Sequence, residues 1–155
     1  MDQPKRRVLI VDDEPSVVKL VTKCMELAGF EVVVAMDGQA ALTKVREHNP
    51  DVVILDVMLP KLNGFEVCSL LKQNSHYQHI PIIMFTALME EQDYWKGMAC
   101  GADAYLSKPF SIDALEQLVK RLIEALRPNL SSEHKGSAAQ RVEHLPPSDP
   151  NRQVS

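Results

Sequence analysis

Five polar side chains in this sequence have the chemistry needed to handle a phosphoryl group. Asp12, Asp13 and Asp56 follow directly on short apolar runs, Thr86 ends another run, and Lys108 stands two residues beyond a fourth. Three carboxylates that converge without a cation repel one another, so either their pKa values rise or a hard divalent ion lies among them. Mg²⁺ fits best, because it prefers oxygen ligands and commonly uses one or two carboxylates together with a phosphate.

A lysine and a hydroxyl group beside such carboxylates suit phosphoryl transfer. The charge on the transferred group spreads over oxygens that need fixed positive groups and hydrogen-bond donors. The carboxylate of Asp56 is the candidate nucleophile. The alternative is structural, since Asp and Thr often cap helices and strand ends. That explanation suits Asp12 taken alone, but it does not account for five such residues at one sheet edge.

Short β-branched runs alternate with segments of helical periodicity along the chain. The first run, Val8 to Val11, has no polar alternation, which is typical of a strand buried on both faces of a parallel sheet. The predicted strands span residues 8–11, 31–35, 52–55, 80–85 and 104–106. The predicted helices span residues 15–28, 37–45, 63–73, 90–100 and 111–126.

Five such β-then-α units predict a doubly wound α/β domain with a five-stranded parallel sheet and five helices. The capping residues expected at the helix starts are Asp37, Asn63 with Glu66, and Ser111. In a parallel sheet the carboxyl ends of all strands lie at one edge, where open α/β folds bind their ligands. The five polar residues of the candidate site therefore meet at that edge.

Composition limits the other possibilities. The chain has 155 residues, with 45% hydrophobic and 25% charged residues, as in an ordinary globular domain. A formal charge of −4 argues against direct nucleic-acid binding. The longest uncharged apolar stretch, residues 80–89, is too short to span a membrane. We expect a flank at residues 1–6, one domain at 7–127, and a disordered, proline-rich tail or linker at 128–155.

The three cysteines fit neither a disulfide framework nor a zinc site. Cys24, Cys68 and Cys100 are far apart in sequence and odd in number. We expect them to be buried, small apolar residues. A reducing cytoplasm is the expected compartment.

Several motifs in this sequence resemble the receiver domain of two-component response regulators. They are Val11-Asp12-Asp13-Glu14, Leu55 to Pro60, Thr86-Ala87 and Lys108-Pro109-Phe110, together with Asn63-Gly64 and Gly101 to Tyr105. The resemblance covers residues 7 to about 126, and the motifs follow the order and spacing of that family. It implies a CheY-like, flavodoxin-like fold with the strand order 2-1-3-4-5.

The resemblance also implies a role for each candidate residue. Asp56 would accept the phosphoryl group from a phosphohistidine partner and form an acyl phosphate. Asp13, Asp56 and the backbone carbonyl of Met58 would bind Mg²⁺ directly, while Asp12 would act mostly through a bound water.

A conformational switch is implied as well. Lys108 would contact one phosphoryl oxygen, and Thr86 would move its hydroxyl onto another. Tyr105 would follow Thr86 inward and change the surface formed by the fourth helix, the fifth strand and the fifth helix. The same resemblance implies a cis peptide bond between Lys108 and Pro109.

The implied partners are a sensor histidine kinase or a histidine phosphotransfer protein, and a downstream protein that the sequence does not identify. No direct nucleic-acid or membrane binding by this domain is expected. Such a domain is a signalling phosphoacceptor, in which catalysis is confined to its own phosphorylation and dephosphorylation. We expect a monomer or a weak dimer that forms on phosphorylation. Apolar residues at Met58 and Leu88, positions that tune dephosphorylation in this family, predict a long-lived phosphoryl group.

Three alternatives remain open at this point. The domain can be the input part of a longer transcriptional or enzymatic regulator. A Mg²⁺-dependent aspartyl phosphohydrolase would also use an aspartate at a strand end, but it needs a second aspartate where Met58 stands. A flavin-binding module would share the strand order, but no Ser/Thr/Gly-rich phosphate loop follows the first strand.

Overall fold

The computed structural model describes residues 5–86 and 99–125. Within these ranges the strands are β1 (Arg7–Val11), β2 (Glu31–Ala35), β3 (Val52–Asp56), β4 (Ile82–Thr86) and β5 (Ala104–Ser107). The helices are α1 (Pro15–Leu27), α2 (Gly38–His48), α3 (Gly64–Lys72) and α4 (Ile112–Glu124). Helix α4 corresponds to the fifth predicted helix. Residues 90–98 of the fourth predicted helix and the predicted tail lie outside the described residues.

The sheet is parallel throughout, with the order β2-β1-β3-β4-β5. Both the fold class and the strand order are confirmed. Strand β1 pairs with β2 on one side and with β3 on the other, so the chain changes direction across the sheet at β1. Open α/β sheets bind ligands beside such a switch point, at the carboxyl ends of the strands.

Hydrophobic cores cover both faces of the sheet, because successive side chains of a strand point to opposite faces. Leu9, Val11, Val53 and Leu55 belong to the core that includes residues of α2 and α3. Val8, Ile10, Val52 and Ile54 belong to the core that includes residues of α1 and α4. Every residue of β3 is buried, which fixes this strand firmly beneath the site.

Local sequence signals define most helix ends. Asn63 and Glu66 form the predicted capping box, and the side chains of Asp37 and Ser111 accept hydrogen bonds as predicted. Helix α2 runs three residues past the predicted end, to His48, and stops where Asn49 adopts a left-handed conformation with φ of 49°. Among the described residues, no helix has the length and apolar character required to cross a bilayer.

The fourth strand begins two residues later than predicted. The N–H of Ile80 closes the preceding turn by donating to the carbonyl of Tyr77, at 3.0 Å. Pro81 has no N–H to donate to a ladder, and its carbonyl accepts from Val53 at 3.0 Å. Regular pairing therefore starts at Ile82 and continues to Thr86, one residue beyond the predicted end.

Candidate functional site

The register of the sheet sets Asp12 and Asp56 side by side. Val11 pairs with Leu55, and the chain reaches Asp12 and Asp56 one residue later on the two strands. Asp12 is fully buried and Asp56 is 4% exposed. Backbone N–H groups partly satisfy both carboxylates: Glu14 donates to Asp12 at 2.9 Å, and Met58 donates to Asp56 at 3.3 Å.

Lys108 crosses from the end of β5 to these carboxylates. Its Nζ donates to Oδ2 of Asp12 at 2.8 Å and to Oδ2 of Asp56 at 3.5 Å. Oε1 of Glu14 lies 3.6 Å from the same nitrogen. The ammonium also lies 5.0 Å from the ring centroid of Phe85, within the range of a cation–π interaction. Lys108 is thus held by charge on one side and by an aromatic ring on another.

The electrostatic environment raises the pKa values of both Asp56 and Lys108. Burial raises the pKa of Asp56 to about 6, and the charge of Asp12 acts in the same direction, against the attraction of Lys108 and the Met58 N–H. Burial opposes the charge of Lys108, but its hydrogen bond to Asp12 and the charges of the surrounding carboxylates outweigh that effect and raise the pKa of Lys108. At neutral pH the site therefore holds an ammonium beside a carboxylate that is only partly stabilised.

The donor set fits a hard divalent cation. One oxygen from each of Asp12, Asp13 and Asp56 lies within 4.8 Å of the others, and Asp13 is exposed while the other two are buried. All three ligand atoms are carboxylate oxygens, the type that Mg²⁺ prefers. The single ammonium of Lys108 does not balance three carboxylates, so a cation would relieve the remaining repulsion.

The loop between β3 and α3 is built against the backbone of Asp56. A Cβ atom at Gly64 would lie 2.2 Å from the carbonyl oxygen of Asp56 and 2.8 Å from the Cα of Val57. The Gly64 N–H donates to the Val57 carbonyl at 2.9 Å. The first turn of α3 therefore rests directly on the end of β3, and only glycine permits this approach.

The remaining predicted residues lie near the site to different degrees. Thr86 ends β4 one residue beyond Phe85, which pairs with Asp56, so its backbone reaches the same edge; its side chain lies outside the described part of the chain. Met58 is 58% exposed and lies two residues after Asp56, in the loop that follows β3. Tyr105 is 3% exposed and lies in the core on the side of α2 and α3. The Lys108–Pro109 peptide bond is cis.

Three residues at the site were not assigned a function there by the sequence-based prediction. Glu14 belongs to the acidic run after β1, and its position there is a usable signal for contact with Lys108. Gly64 follows the Asn63 cap, which suggests a tight approach at a helix start. Phe85 could not be told from an ordinary core residue, because its contact with Lys108 depends on the packing of β4 beside β5.

Comparison with known proteins agrees with this geometry. Residues 8–120 match the response regulator receiver domain family. The chain is 44% identical over 118 residues to the alkaline phosphatase synthesis transcriptional regulatory protein PhoP of Bacillus subtilis, which covers 76% of this chain and 48% of that protein. It is 43% identical over 129 residues to the DNA-binding response regulator MtrA of Mycolicibacterium smegmatis, covering 83% and 54% of the two chains. The chain spans about half the length of these curated relatives.

The fold has close counterparts among solved structures. The chemotaxis response regulator CheY4 of Vibrio cholerae superposes with a TM-score of 0.72 at 35% identity, over 77% of this chain and 99% of that one. The family match extends from β1 into α4 and includes every residue of the candidate site. On these grounds the chain belongs to the response regulator receiver domain family of two-component signal transduction.

Proposed function

We propose that Asp56 accepts a phosphoryl group, in a Mg²⁺-dependent reaction, from the phosphohistidine of a sensor histidine kinase or a histidine phosphotransfer protein. The observation that carries this proposal is the convergence of buried Asp56 with Asp12, Asp13 and the Lys108 ammonium at the carboxyl edge of the sheet. Membership of the receiver family supports the same assignment.

The chemistry of Asp56 suits a nucleophile. With a pKa of about 6, its carboxylate is ionised in about nine molecules of ten at pH 7. A carboxylate oxygen attacks phosphorus, and an O–P bond forms as the P–N bond of the phosphohistidine breaks. The electron pair of that bond returns to the imidazole ring, which takes up a proton. Burial leaves the attacking anion poorly solvated, which favours its conversion to the acyl phosphate.

The proposed Mg²⁺ site is formed by the three carboxylates together with the loop after β3, which carries Met58. Asp13, Asp56 and the backbone carbonyl of Met58 would hold Mg²⁺ directly, and Asp12 would act through a water molecule. When bound, Mg²⁺ neutralises phosphoryl oxygens and holds the group for in-line attack. Gly64 packs closely on the backbone of Asp56, and this contact fixes the position of Asp56 relative to the loop that carries Met58.

Phosphorylation would change which groups Lys108 contacts. A phosphoryl group adds about −1.5 to −2 charges and strong acceptor oxygens. These oxygens compete with Asp12 for the ammonium, which lies 2.8 Å from the Asp12 carboxylate and 3.5 Å from Asp56. Recruitment of the Thr86 hydroxyl and movement of Tyr105 would carry the change to the surface of β5, α4 and the predicted fourth helix.

Loss of the phosphoryl group is expected to be slow. The position two residues after Asp56 holds the apolar Met58, which offers no group to orient an attacking water. Leu88, which the sequence pairs with it in this role, lies outside the described residues. Self-dephosphorylation would then take far longer than seconds.

Two outputs are compatible with a receiver, and each has its own support. A protein partner that binds the switched surface needs no further domain. A DNA-binding output is favoured by two relatives, the transcriptional regulatory protein PhoP and the DNA-binding response regulator MtrA, about half of whose length this chain covers. In that case residues 7–127 form the receiver, residues 1–6 its flank, and residues 128–155 a linker. A cytoplasmic location, which the cysteine pattern predicts, belongs to the same proposal.

Phosphotransfer and capture experiments test the two parts of this proposal. The full chain is incubated with a phosphorylated histidine phosphotransfer protein and Mg²⁺, beside Asp56→Asn as the matched control. We expect the label to move to the wild type only, and equal labelling of the variant would overturn the assignment. Capture of partners with and without beryllofluoride and Mg²⁺ then tests the switch, because the proposal requires capture to depend on the phosphoryl mimic.

A further inference from the structure

Two cysteines meet on the face of the sheet that carries α3. Cys68 lies on α3 and is fully buried, whereas Cys100 is half-buried and directly precedes Gly101. The Cys68 Sγ donates to the backbone carbonyl of Cys100 at 3.5 Å, so the two residues are in direct contact. The sequence-based prediction of burial is therefore right for Cys68 and wrong for Cys100 and Cys24, which are both half-buried.

A fixed positive charge lies beside this pair. Lys72, one helical turn after Cys68, places its Nζ 2.9 Å from Asp103 and donates to the carbonyls of Gln78 and Ile80 at 3.0 and 2.8 Å. A Cβ atom at Gly101 would lie 3.0 Å from the Cγ of Lys72, so the residue after Cys100 is seated on α3. The segment that carries Cys100 is thus packed against α3, the helix that carries Cys68.

The two thiols differ in acidity. The neighbouring Cys68 side chain lowers the pKa of Cys100, with help from the Ala102 N–H and the charge of Lys72 and against the effect of burial. The Cys100 side chain, together with burial, raises the pKa of Cys68. Cys100 is therefore the more acidic and the more exposed of the two thiols, which suits a reactive cysteine beside a buried resolving one.

We propose that Cys100 and Cys68 form a peroxide-reactive dithiol that closes to an intramolecular disulfide. The Cys100 thiolate attacks one oxygen of a hydroperoxide and breaks the O–O bond. This step gives a sulfenic acid on Cys100 and releases water or an alcohol after protonation. The Cys68 sulfur then attacks the sulfenic sulfur, the S–S bond forms, and the sulfenic oxygen leaves as water. The two thiols lose two electrons, and the peroxide gains them.

The disulfide would join two elements that lead to the candidate site. Helix α3 begins at Gly64, against the backbone of Asp56, and β5 leads to Lys108. A bond from Cys68 to Cys100 would tie α3 to the chain that enters β5. This inference rests on the cysteine pair alone and does not depend on the proposed phosphorylation of Asp56.

Peptide mapping of the oxidised full chain tests the proposal. The reduced protein is treated with hydrogen peroxide, blocked with an alkylating agent, digested and analysed by mass spectrometry. We expect an intramolecular product lighter by about 2 Da, with Cys68 linked to Cys100. Cys24, on the opposite face of the sheet, is the internal control and should react at least about tenfold more slowly than Cys100.

Two variants separate the roles of the sulfurs. In Cys68→Ala, dimedone should trap a sulfenic acid on Cys100, whereas in Cys100→Ser no peroxide-dependent adduct should form at Cys68. Circular dichroism checks that both variants are folded. The peptide map of the oxidised wild type tests the disulfide even if a variant does not fold. The proposal is overturned if Cys24 is oxidised as fast as Cys100. It is equally overturned if peroxide consumes the thiols without forming the Cys68–Cys100 bond.

Discussion

Replacing Asp56 with asparagine will stabilise the protein at neutral pH when no divalent cation is present. The folded-state pKa of Asp56 is about 6, against 3.8 for an ordinary aspartate, because the carboxylate is buried beside Asp12. A raised carboxyl pKa means that the folded state binds the proton more tightly than the unfolded state. Ionised Asp56 therefore lowers the free energy of unfolding. This destabilisation is absent below about pH 4, grows between the two pKa values and is complete above about pH 6.

The difference between the two pKa values sets the size of the effect. Each pKa unit corresponds to about 1.4 kcal/mol, which gives an upper limit of about 3 kcal/mol for ionised Asp56. Relaxation of the site and entry of water reduce this figure, so we expect Asp56→Asn to raise the free energy of unfolding by about 2 kcal/mol at pH 7.5. For a domain of this size the gain corresponds to about 6–10 °C in Tm.

Urea unfolding in EDTA, followed by circular dichroism from pH 4 to 8, measures the effect. The difference between Asp56→Asn and wild type should be near zero at pH 4 and reach its full value by about pH 7. Asp13→Asn is the matched control, because Asp13 belongs to the same cluster but is exposed, and it should change stability by less than about 0.5 kcal/mol. An Asp56→Asn variant no more stable than wild type at pH 7.5 would show that the ionised, buried carboxylate of Asp56 does not destabilise the fold.

Substitutions at Lys108, Gly64 and Met58 test other parts of the same site. Lys108→Met removes the ammonium that competes for Asp12 and Asp56, so the Kd for Mg²⁺, measured by isothermal titration, should fall about fivefold; an unchanged or weaker affinity would contradict this. Lys108→Ala should leave phosphorylation possible but remove its effect on partner affinity, and equal phosphorylation-dependent affinity in both proteins would refute that role. Gly64→Ala forces a Cβ atom onto the Asp56 carbonyl and should lower the free energy of unfolding in urea by more than about 2 kcal/mol. Gly29→Ala is the control, because Gly29 has a φ of 98° but open space around it, and it should lower the free energy of unfolding by about 1 kcal/mol. Equal losses in the two variants would show that close packing at Gly64 is unimportant. The acyl phosphate of the wild type should persist for many minutes in a phosphoprotein gel assay, with Met58→Asn losing it several-fold faster; a wild-type half-life of seconds would be inconsistent with the proposed role of Met58.

The strands and helices could be predicted from the sequence because the patterns that indicate them are local and periodic. Continuous apolar runs predict strands buried on both faces, and the Asn63–Glu66 pair predicts the capping box that starts α3. The strand order came from the family resemblance, which also favoured a receiver over a phosphohydrolase or a flavin-binding module. The meeting of Asp12 with Asp56 followed from the rule that parallel strands end at one edge.

Other features depend on contacts between residues far apart in sequence. The start of β4 at Ile82 reflects a turn closed by Ile80 and the missing N–H of Pro81. The contact of Lys108 with Phe85 requires β4 and β5 to be packed first. Cys68 and Cys100 are separated by 32 residues and meet only because α3 and the chain before β5 cover the same face of the sheet.

The proposed role of Asp56 stands or falls with the position of the phosphoryl group on the chain. The full protein is incubated with acetyl phosphate and Mg²⁺, and the acyl phosphate is then reduced with borohydride to mark the modified residue for peptide mapping. We expect a gain of about 80 Da before reduction, homoserine in place of Asp56 after it, and neither change when EDTA replaces Mg²⁺. A phosphoryl group on another residue, or on Asp56 at an undiminished rate in EDTA, would show that Asp56 is not a Mg²⁺-dependent phosphoacceptor.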